Sequence, residues 1–371
     1  MKKYDVIIIG AGIAGTSLAY NLKRINYPGK ILLIDRNKIG HNSGYGYRNT
    51  FKEIIEEYNF PYVKKYSNLK MGDFQGIKLD IDVEFYLVDY EKICNHLFKK
   101  NPVDFKKEEA LHVSGNMLTT NKENYYFKYL IDASGSTFFL KKLFSLPLPF
   151  RYYLGRLKKF QTKKQDKSNT VVYYSDKKGY VEDFCQIEKK IIQGDWQISD
   201  KVDFRKIDSP KYSKLNNLNE KLNLLEKSNV FYPVTPAFPL VYKNCAFLGD
   251  SFGNATPSLG EGIRPITESS KILAVCILKD NLKKYEEIWR KKYLDKYLKT
   301  ISSRLKLKNR FEILKIAKEN PKILSDVIKG GNPKLKLKQM KKIPKKIILN
   351  WIFSYLYLKI KYNSFFRKRY N

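Results

Sequence analysis

YDVIIIGAGIAGTSLAYNLKRINYPGKILLIDR, residues 4–36, decides the fold. The apolar run from Val6 to Ile9 ends in Gly10-Ala11-Gly12-Ile13-Ala14-Gly15, and Thr16 to Leu22 has the composition of a helix. A second apolar run, Ile31 to Ile34, ends in Asp35-Arg36. The order is strand, glycine turn, helix, strand, acid. Gly10 allows the tight turn, Gly12 lets backbone N–H groups approach a pyrophosphate, and Gly15 lets the helix pack close to the sheet. The helix N-terminus favours phosphate charge, and Asp35 can accept from a ribose hydroxyl. The rival reading is an incidental glycine-rich loop of another α/β protein. It gives no reason for strand, helix and acid to fall together at these spacings.

Composition bounds the rest. A length of 371 residues predicts two domains, and an apolar fraction of 43% is enough for real cores. Four cysteines, Cys94, Cys185, Cys245 and Cys276, form no CxxC pair, and with three histidines no structural zinc site is expected. The N-terminal sequence goes straight into a core strand without a signal-peptide pattern. No run of ~18 apolar residues is present to cross a membrane. A cytoplasmic, thiol-reduced protein is the expectation. The formal charge of +34 reflects lysines spread over the whole chain. Zinc-finger spacing, an RNP pattern and a GXXG loop are all missing, so no nucleic-acid partner is expected; anionic lipid suits the charge equally well.

Residues 40–48, GHNSGYGYR, form a glycine-rich loop after the second strand. Passing over a bound cofactor, it would bring Gly44 close and let Arg48 meet a phosphate; the alternative is a plain surface loop. His41 is a solvent histidine, a proton donor or a stacking group. Residues 51–58 have helical composition, and residues 62–82, broken by Gly72 and Gly76, suggest short strands. Tyr90, Ile93, Leu97 and Phe98 predict a helix over 89–99. In KYLIDASG, residues 128–135, a hydrophobic strand runs into a small-residue turn. Ligands of open parallel sheets sit at the carboxyl ends of strands, so Asp132 and Gly135 are placed to hold a cofactor or shape its entrance.

From 151 to 199, short β-prone runs separated by turn residues predict an antiparallel sheet and a second domain. Residues 200–228 are polar and lysine-rich, with leucines spaced for one helix near the end. YPVTPAFP, residues 232–239, reads as an extended connector back to the first domain. CAFLGD, residues 245–250, is a strand ending in Gly-Asp, and SFGNATPSLGEGI leads from it into an apolar helix over 266–278. Gly260 and Gly262 permit close backbone approach, the helix start offers free N–H groups, and Asp250 can accept from the hydroxyls of a polyol chain.

Together these segments resemble FAD-dependent oxidoreductases of the geranylgeranyl reductase family, within the larger class shaped like p-hydroxybenzoate hydroxylase. The matching pieces are GAGIAG at 10–15, Asp35, DASG at 132–135 and GDSFGNATPSLGEGI at 249–263, over roughly residues 4–280. The resemblance implies an α/β fold: a Rossmann-like FAD-binding domain from 1–145 and 240–280, an inserted antiparallel-sheet substrate domain over 146–239, and a basic, mainly helical C-terminal region over 281–371. It places Ala14 and Asp35 on the adenosine half of FAD, Asp250 at the ribityl or pyrophosphate region, and Gly262 and Ile263 beside the isoalloxazine ring. Gly10, Gly12, Gly15, Arg36, Gly44, Arg48, Asp132, Gly135 and Gly260 complete the candidate cofactor set.

The activity implied is reduction of isolated carbon–carbon double bonds of a prenyl lipid by flavin hydride transfer, with NADPH, NADH or ferredoxin as external electron donor. Tyr45, Tyr180, Asp183 and His41 are candidate proton donors by chemistry alone. Alternatives are a flavin monooxygenase or halogenase, a lycopene-cyclase-like non-redox flavoprotein, and a non-catalytic FAD-binding protein. The WxWxIP motif of tryptophan halogenases is missing. Three departures bear on the substrate. The loop at 42–46 lacks the family's cysteine, Asp89-Tyr90 stands where the family has aspartate–arginine, and the aromatic motif of the prenyl pocket is not intact, its nearest stretch being GYVEDF at 179–184.

Residues 334–371 hold twelve basic residues and no acid: Lys334, Lys336, Lys338, Lys341, Lys342, Lys345, Lys346, Lys359, Lys361, Arg367, Lys368 and Arg369. Between the basic clusters lies IILNWIFSYLYL, residues 347–358. As a helix it would extend ~18 Å, too short for ~30 Å of hydrocarbon. Two readings stand side by side. It lies in the interface of an anionic membrane, at the inner face of the cell membrane, or it is a core helix with solvated lysines.

Overall fold

The structure is a computed structural model. It describes residues 2–41, 46–73, 76–163, 170–175, 180–207, 222–256, 260–295, 297–298, 349 and 352–360, the side chains at 73, 76–79, 172–175, 180–184 and 206 excepted. The first half runs β1 (Lys2–Ile9), α1 (Ile13–Arg24), β2 (Ile31–Asp35), β3 (Tyr47–Thr50), α2 (Lys52–Tyr58), β4 (Lys64–Asp73), β5 (Gly76–Asp89), α3 (Tyr90–Lys100), β6 (Asp104–Lys107), β7 (Ala110–Ser114), β8 (Met117–Thr120), β9 (Asn124–Asp132) and α4 (Phe139–Leu143). The second half runs β10 (Tyr152–Gln161), β11 (Thr170–Ser175), β12 (Tyr180–Ile187), β13 (Lys190–Ser199), β14 (Asn223–Pro233), β15 (Val241–Tyr242), β16 (Cys245–Phe247), α5 (Ile263–Leu278), α6 (Lys283–Trp289) and a π turn (Arg290–Leu294). Residues 352–360 are helical.

The first sheet has the order β15-β16-β9-β1-β2-β6, with β7 and β8 as a meander against β9. Strands β16, β9, β1, β2 and β6 are mutually parallel, with Ile9 opposite Ile34 on one side and Asp132 on the other. Covered on both faces, β1 and β2 are continuous apolar runs rather than alternating ones. Val6, Ile7, Ile8, Leu32, Leu33 and Ile34 are fully buried. Helix α1 buries Ile13, Ala14, Leu18, Ala19 and Leu22, and Asn21 Nδ2 ties it to α5 through Ser270 Oγ at 2.8 Å. This is the expected Rossmann-like α/β unit.

The second sheet has the order β14-β10-β13-β12-β11-β4-β5-β3. It is antiparallel except at one junction, where β11 runs parallel to β4 with Val171 opposite Leu69. Two expectations change here. Residues 47–89 were grouped with the first unit, yet β3, β4 and β5 pair into the second sheet, so that sheet draws on two separate stretches. The short strands expected over 62–82 are two long strands whose bulges, near Tyr66/Asn68 and Met71/Gly72, absorb the irregularity. Of the helix expected near the end of 200–228, the described residues 223–228 are strand β14, laddered to β10. That partner lies over sixty positions away, where local leucine spacing carries no information.

Among the described residues, no helix is long and apolar enough to cross a membrane.

Candidate cofactor site

The site begins where three parallel strands end. Gly10 has φ +108°, and a β-carbon there would lie 2.2 Å from the Ala133 carbonyl oxygen. A β-carbon on Gly15 would lie 1.9 Å from the Gly10 carbonyl oxygen, so α1 sits directly on the turn. The Asp132 carbonyl accepts from Leu248 N at 2.9 Å and from Ser251 Oγ at 2.7 Å. The GxGxxG turn, the DASG turn and the Gly-Asp turn therefore meet at one edge, where open α/β sheets bind ligands. Asp132 itself is fully buried and turned inward. Its carboxylate accepts from Ser134 N at 3.0 Å and Leu140 N at 2.8 Å. Burial pushes its pKa up, and those N–H groups oppose the shift. Asp132 holds the turn that presents Gly135, whose missing side chain faces open space.

No acidic side chain occupies the first turn of α1, so no carboxylate of the helix itself offsets the positive end of its dipole. Asp35 accepts from Ala11 N at 2.8 Å and Asn37 N at 2.7 Å, which fixes the acid at the end of β2 against the glycine turn. Arg36 points outward to Glu109 at 3.5 Å. Arg48 lies on β3 rather than in a loop. Its Nη1 donates to the Tyr47 carbonyl at 2.7 Å, and its guanidinium sits 5.6 Å over the Tyr90 ring. The Tyr90 hydroxyl accepts from Ile13 N at 3.0 Å. Burial pushes the Tyr90 hydroxyl pKa up, so it stays protonated.

Asp250 follows in the single 3₁₀ turn after β16. Burial raises its pKa to about 6, with Arg48 opposing. Among the described residues nothing donates to its carboxylate. A β-carbon on Gly249 would lie 2.8 Å from the Ala14 methyl, so the two glycine-rich junctions touch.

The start of α5 completes the edge. Thr256 Oγ1 and N both donate to the Glu261 carbonyl, at 3.0 and 2.9 Å, closing a loop whose residues 257–259 lie outside the described set. Gly262 is the residue before the helix, and Ile263 is buried beneath it. The Glu261 side chain, 8% exposed, accepts from Arg264 N at 2.7 Å through Oε1. Among the described residues its Oε2 has no hydrogen-bond partner, and it lies 3.8 Å from Arg264 Nε. Burial raises this carboxyl to about 7, with Arg264 opposing. Gly260 faces the Tyr232 hydroxyl, 1.9 Å from where a β-carbon would be. Beyond α6, Tyr297 Oη donates to the Asn254 carbonyl at 2.5 Å and so anchors the Gly-Asp loop from the C-terminal side.

The structure thus brings Gly10, Gly12, Ala14, Gly15, Asp35, Arg48, Gly135, Asp250, Gly260, Gly262 and Ile263 to one edge. Asp132 backs it and Arg36 turns away. Gly44 and Tyr45 lie outside the described residues, as do the side chains of Tyr180 and Asp183; His41 is exposed. Tyr90, Tyr232 and Glu261 are site residues that motif reading missed. Glu261 had a signal in its place between two glycines, Tyr90 only in standing where an arginine is expected, and Tyr232 none.

A glycine turn at a helix N-terminus, an arginine and a carboxylate without donors among the described residues suit a dinucleotide of the FAD type, with phosphates near α1 and hydroxyls at Asp250. A family model described as pyridine nucleotide-disulphide oxidoreductase matches residues 4–176. The "Uncharacterized oxidoreductase CzcO" of Bacillus velezensis is 27% identical over 135 residues, which is 36% of this chain and 36% of that protein. The chain therefore matches about a third of the curated relative's length. Among solved structures, a geranylgeranyl bacteriochlorophyll reductase-like protein from Thermoplasma acidophilum superposes with TM-score 0.71 at 16% identity, over 95% of this chain and 100% of that one. PqsL from Pseudomonas aeruginosa, a probable FAD-dependent monooxygenase, superposes with TM-score 0.62 at 14% identity, over 88% of this chain and 100% of that one. The chain has the fold of the FAD-dependent oxidoreductases shaped like p-hydroxybenzoate hydroxylase. Its cofactor site is an FAD site.

Proposed function

We propose that this protein is an FAD-dependent reductase of carbon–carbon double bonds in a prenyl lipid. The observation that carries the reading is the face the second sheet turns toward Gly260. Tyr153, Gly155 and Leu157 alternate along β10, so they share one face. Tyr153 pairs with Tyr232 at 5.4 Å between ring centroids, and Trp196 with Tyr232 at 5.7 Å. The bare Gly155 admits the Trp196 ring, 2.3 Å from where a β-carbon would be. An apolar, aromatic wall beside the GEGI turn suits a hydrocarbon chain better than a charged substrate. The fold likeness to the reductase-like Thermoplasma protein points the same way.

FAD held at the α1 turn and Asp250 would supply hydride chemistry, with a nicotinamide-type donor as the source of electrons. The protein's part is to exclude water, lay the double bond along the aromatic wall and deliver one proton to the second carbon. A monooxygenase is the second reading, favoured by the likeness to PqsL. The test is anaerobic photoreduction of the flavoprotein followed by mixing. Reoxidation by a geranylgeranyl lipid supports the reductase; reoxidation by oxygen alone, with hydroxylated product, supports the rival.

A lipid substrate gives meaning to the C-terminal helix. Over residues 352–360 it turns Leu358, 2% exposed, inward and hydrogen-bonds Tyr355 to Asp295. The opposite face carries Ile352, Phe353, Leu356, Tyr357 and Ile360, with Phe353 67% exposed. The inward side packs as core, and the apolar outward side supports the reading that it lies on an anionic lipid surface. Co-sedimentation with anionic vesicles tests it. Phe353→Ser with Tyr357→Ser should abolish binding while leaving the fold intact, and unchanged binding would refute the reading.

A further inference from the structure

We propose that Tyr90 and Arg48 form the pyrophosphate-binding pair of this chain, with the Tyr90 hydroxyl interposed between α1 and the phosphate. This rests on the FAD assignment and adds to it the role of Tyr90 and its pairing with Arg48.

In an unobstructed turn of this kind, a phosphate oxygen accepts directly from N–H groups at the start of the helix. Here the Ile13 N–H is already donated to Tyr90 Oη at 3.0 Å. The hydroxyl also lies over Gly12, 2.6 Å from where a β-carbon would sit. The placement is built by the fold. Asp89 caps α3, its side chain accepting from Lys92 N at 3.0 Å, which puts Tyr90 at the first helical position. Tyr90 N also donates to the Gly46 carbonyl at 2.5 Å.

A hydroxyl that accepts one N–H still has its own proton to give. Among the described residues nothing accepts that proton. Because burial keeps the group protonated, it is a donor throughout the working pH range. A phosphate oxygen is the acceptor it fits, and the Ile13 N–H polarises the hydroxyl toward giving its proton up.

Tyr90 is neutral, so it cannot balance a diphosphate. Arg48 can. Its guanidinium stands over the Tyr90 ring, and its charge acts on both Asp250 and Tyr90, opposing the upward push of burial there. Among the described residues, one of its N–H groups is spent, on the neighbouring Tyr47 carbonyl. Position 90 therefore supplies the hydrogen bond and position 48 the charge.

The test is FAD titration of the deflavinated protein, read by flavin fluorescence, with riboflavin as a phosphate-free control. Tyr90→Phe should weaken FAD binding roughly tenfold, the loss of one hydrogen bond to a charged group. Arg48→Gln should weaken it comparably and flatten its salt dependence. Neither change should alter riboflavin binding. The ³¹P resonances of bound FAD should shift in both variants. Wild-type affinity in Tyr90→Phe, or tighter binding, would overturn the proposal and make Tyr90 a plug that phosphate must displace. Should Tyr90→Phe not fold, a crystal structure of the FAD-loaded wild type decides. Oη within about 3.2 Å of a phosphate oxygen supports the proposal, and separation beyond hydrogen-bond reach rejects it. Failure of the wild type to bind FAD at all would instead strike the FAD assignment.

Discussion

The bare Cα of Gly249 faces the methyl of Ala14, so close that a β-carbon on Gly249 would lie 2.8 Å from it. These residues are 235 positions apart, and their contact sets the spacing between the two glycine-rich junctions. Gly249 also has φ +75°, which disfavours a side chain on conformational grounds. Gly249→Ala should cost on the order of 2 kcal/mol of stability and reduce bound flavin. Thermal unfolding together with the ratio of flavin to protein absorbance on purification checks both.

Asp250 and Glu261 predict how stability follows pH. Burial raises the first from 3.8 to about 6 and the second from 4.5 to about 7. Each holds its proton more tightly folded than unfolded. Below about pH 4 neither costs anything, because both states are protonated. As pH rises toward 7 the unfolded chain ionises first, stability falls, and the cost is complete above about 7. The FAD-free protein should therefore melt at a lower temperature at pH 8 than at pH 5 from these groups.

Glu261→Gln isolates one of them. Glutamine keeps the acceptor for Arg264 N and removes the ionisation, so the FAD-free variant should be stabilised at pH 8 by up to about 3 kcal/mol, with no gain near pH 4. Denaturant titrations at the two pH values decide. A gain of equal size at both would mean that packing, not charge, is responsible.

Asp250→Asn should show the same sign of stability change above pH 6 and the opposite sign of function. The carboxylate that is costly in the empty site accepts hydroxyl hydrogen bonds when the cofactor is held, so FAD affinity should fall roughly tenfold or more. Titration of the deflavinated variant with FAD tests it. A variant both more stable and equally tight would exclude Asp250 from the site.

The two sides of the C-terminal helix should respond differently to truncation. Leu358→Ala removes a buried side chain and should cost about 2–4 kcal/mol. Phe353→Ser, on the exposed side, should change stability by less than about 0.5 kcal/mol. Equal effects on the melting temperature would show that both sides are packed.

The sequence was legible where chemistry is local. GAGIAG with Asp35, DASG and the GEGI segment each carry their geometry within a few residues, and their meeting at one sheet edge follows from the rule for parallel strands. The second sheet was less legible because its pairing is not local. Nothing near Leu69 announces that Val171 will lie beside it, and nothing at Leu224 or Leu225 announces β10. In the site the same limit hid Tyr90. Its hydroxyl reaches Ile13, 77 positions back, and a motif scan sees only that an expected arginine is missing. Arg48 was singled out for its charge, though its strand and its place over Tyr90 depend on the pairing of β3 with β5.

The parallel junction between β4 and β11 ties together two distant stretches of this chain. A hairpin of β4 and β5 can form early, but its far edge waits for a partner delivered about a hundred residues later, and β1 with β9 waits equally for β16. Neither sheet closes on a nascent chain shorter than roughly 250 residues, and the loop-closure entropy of both must be met late. The N-terminal stretch with its nucleotide motif is therefore not a separable module. Fragments ending before β14 would leave β edges of both sheets unpaired.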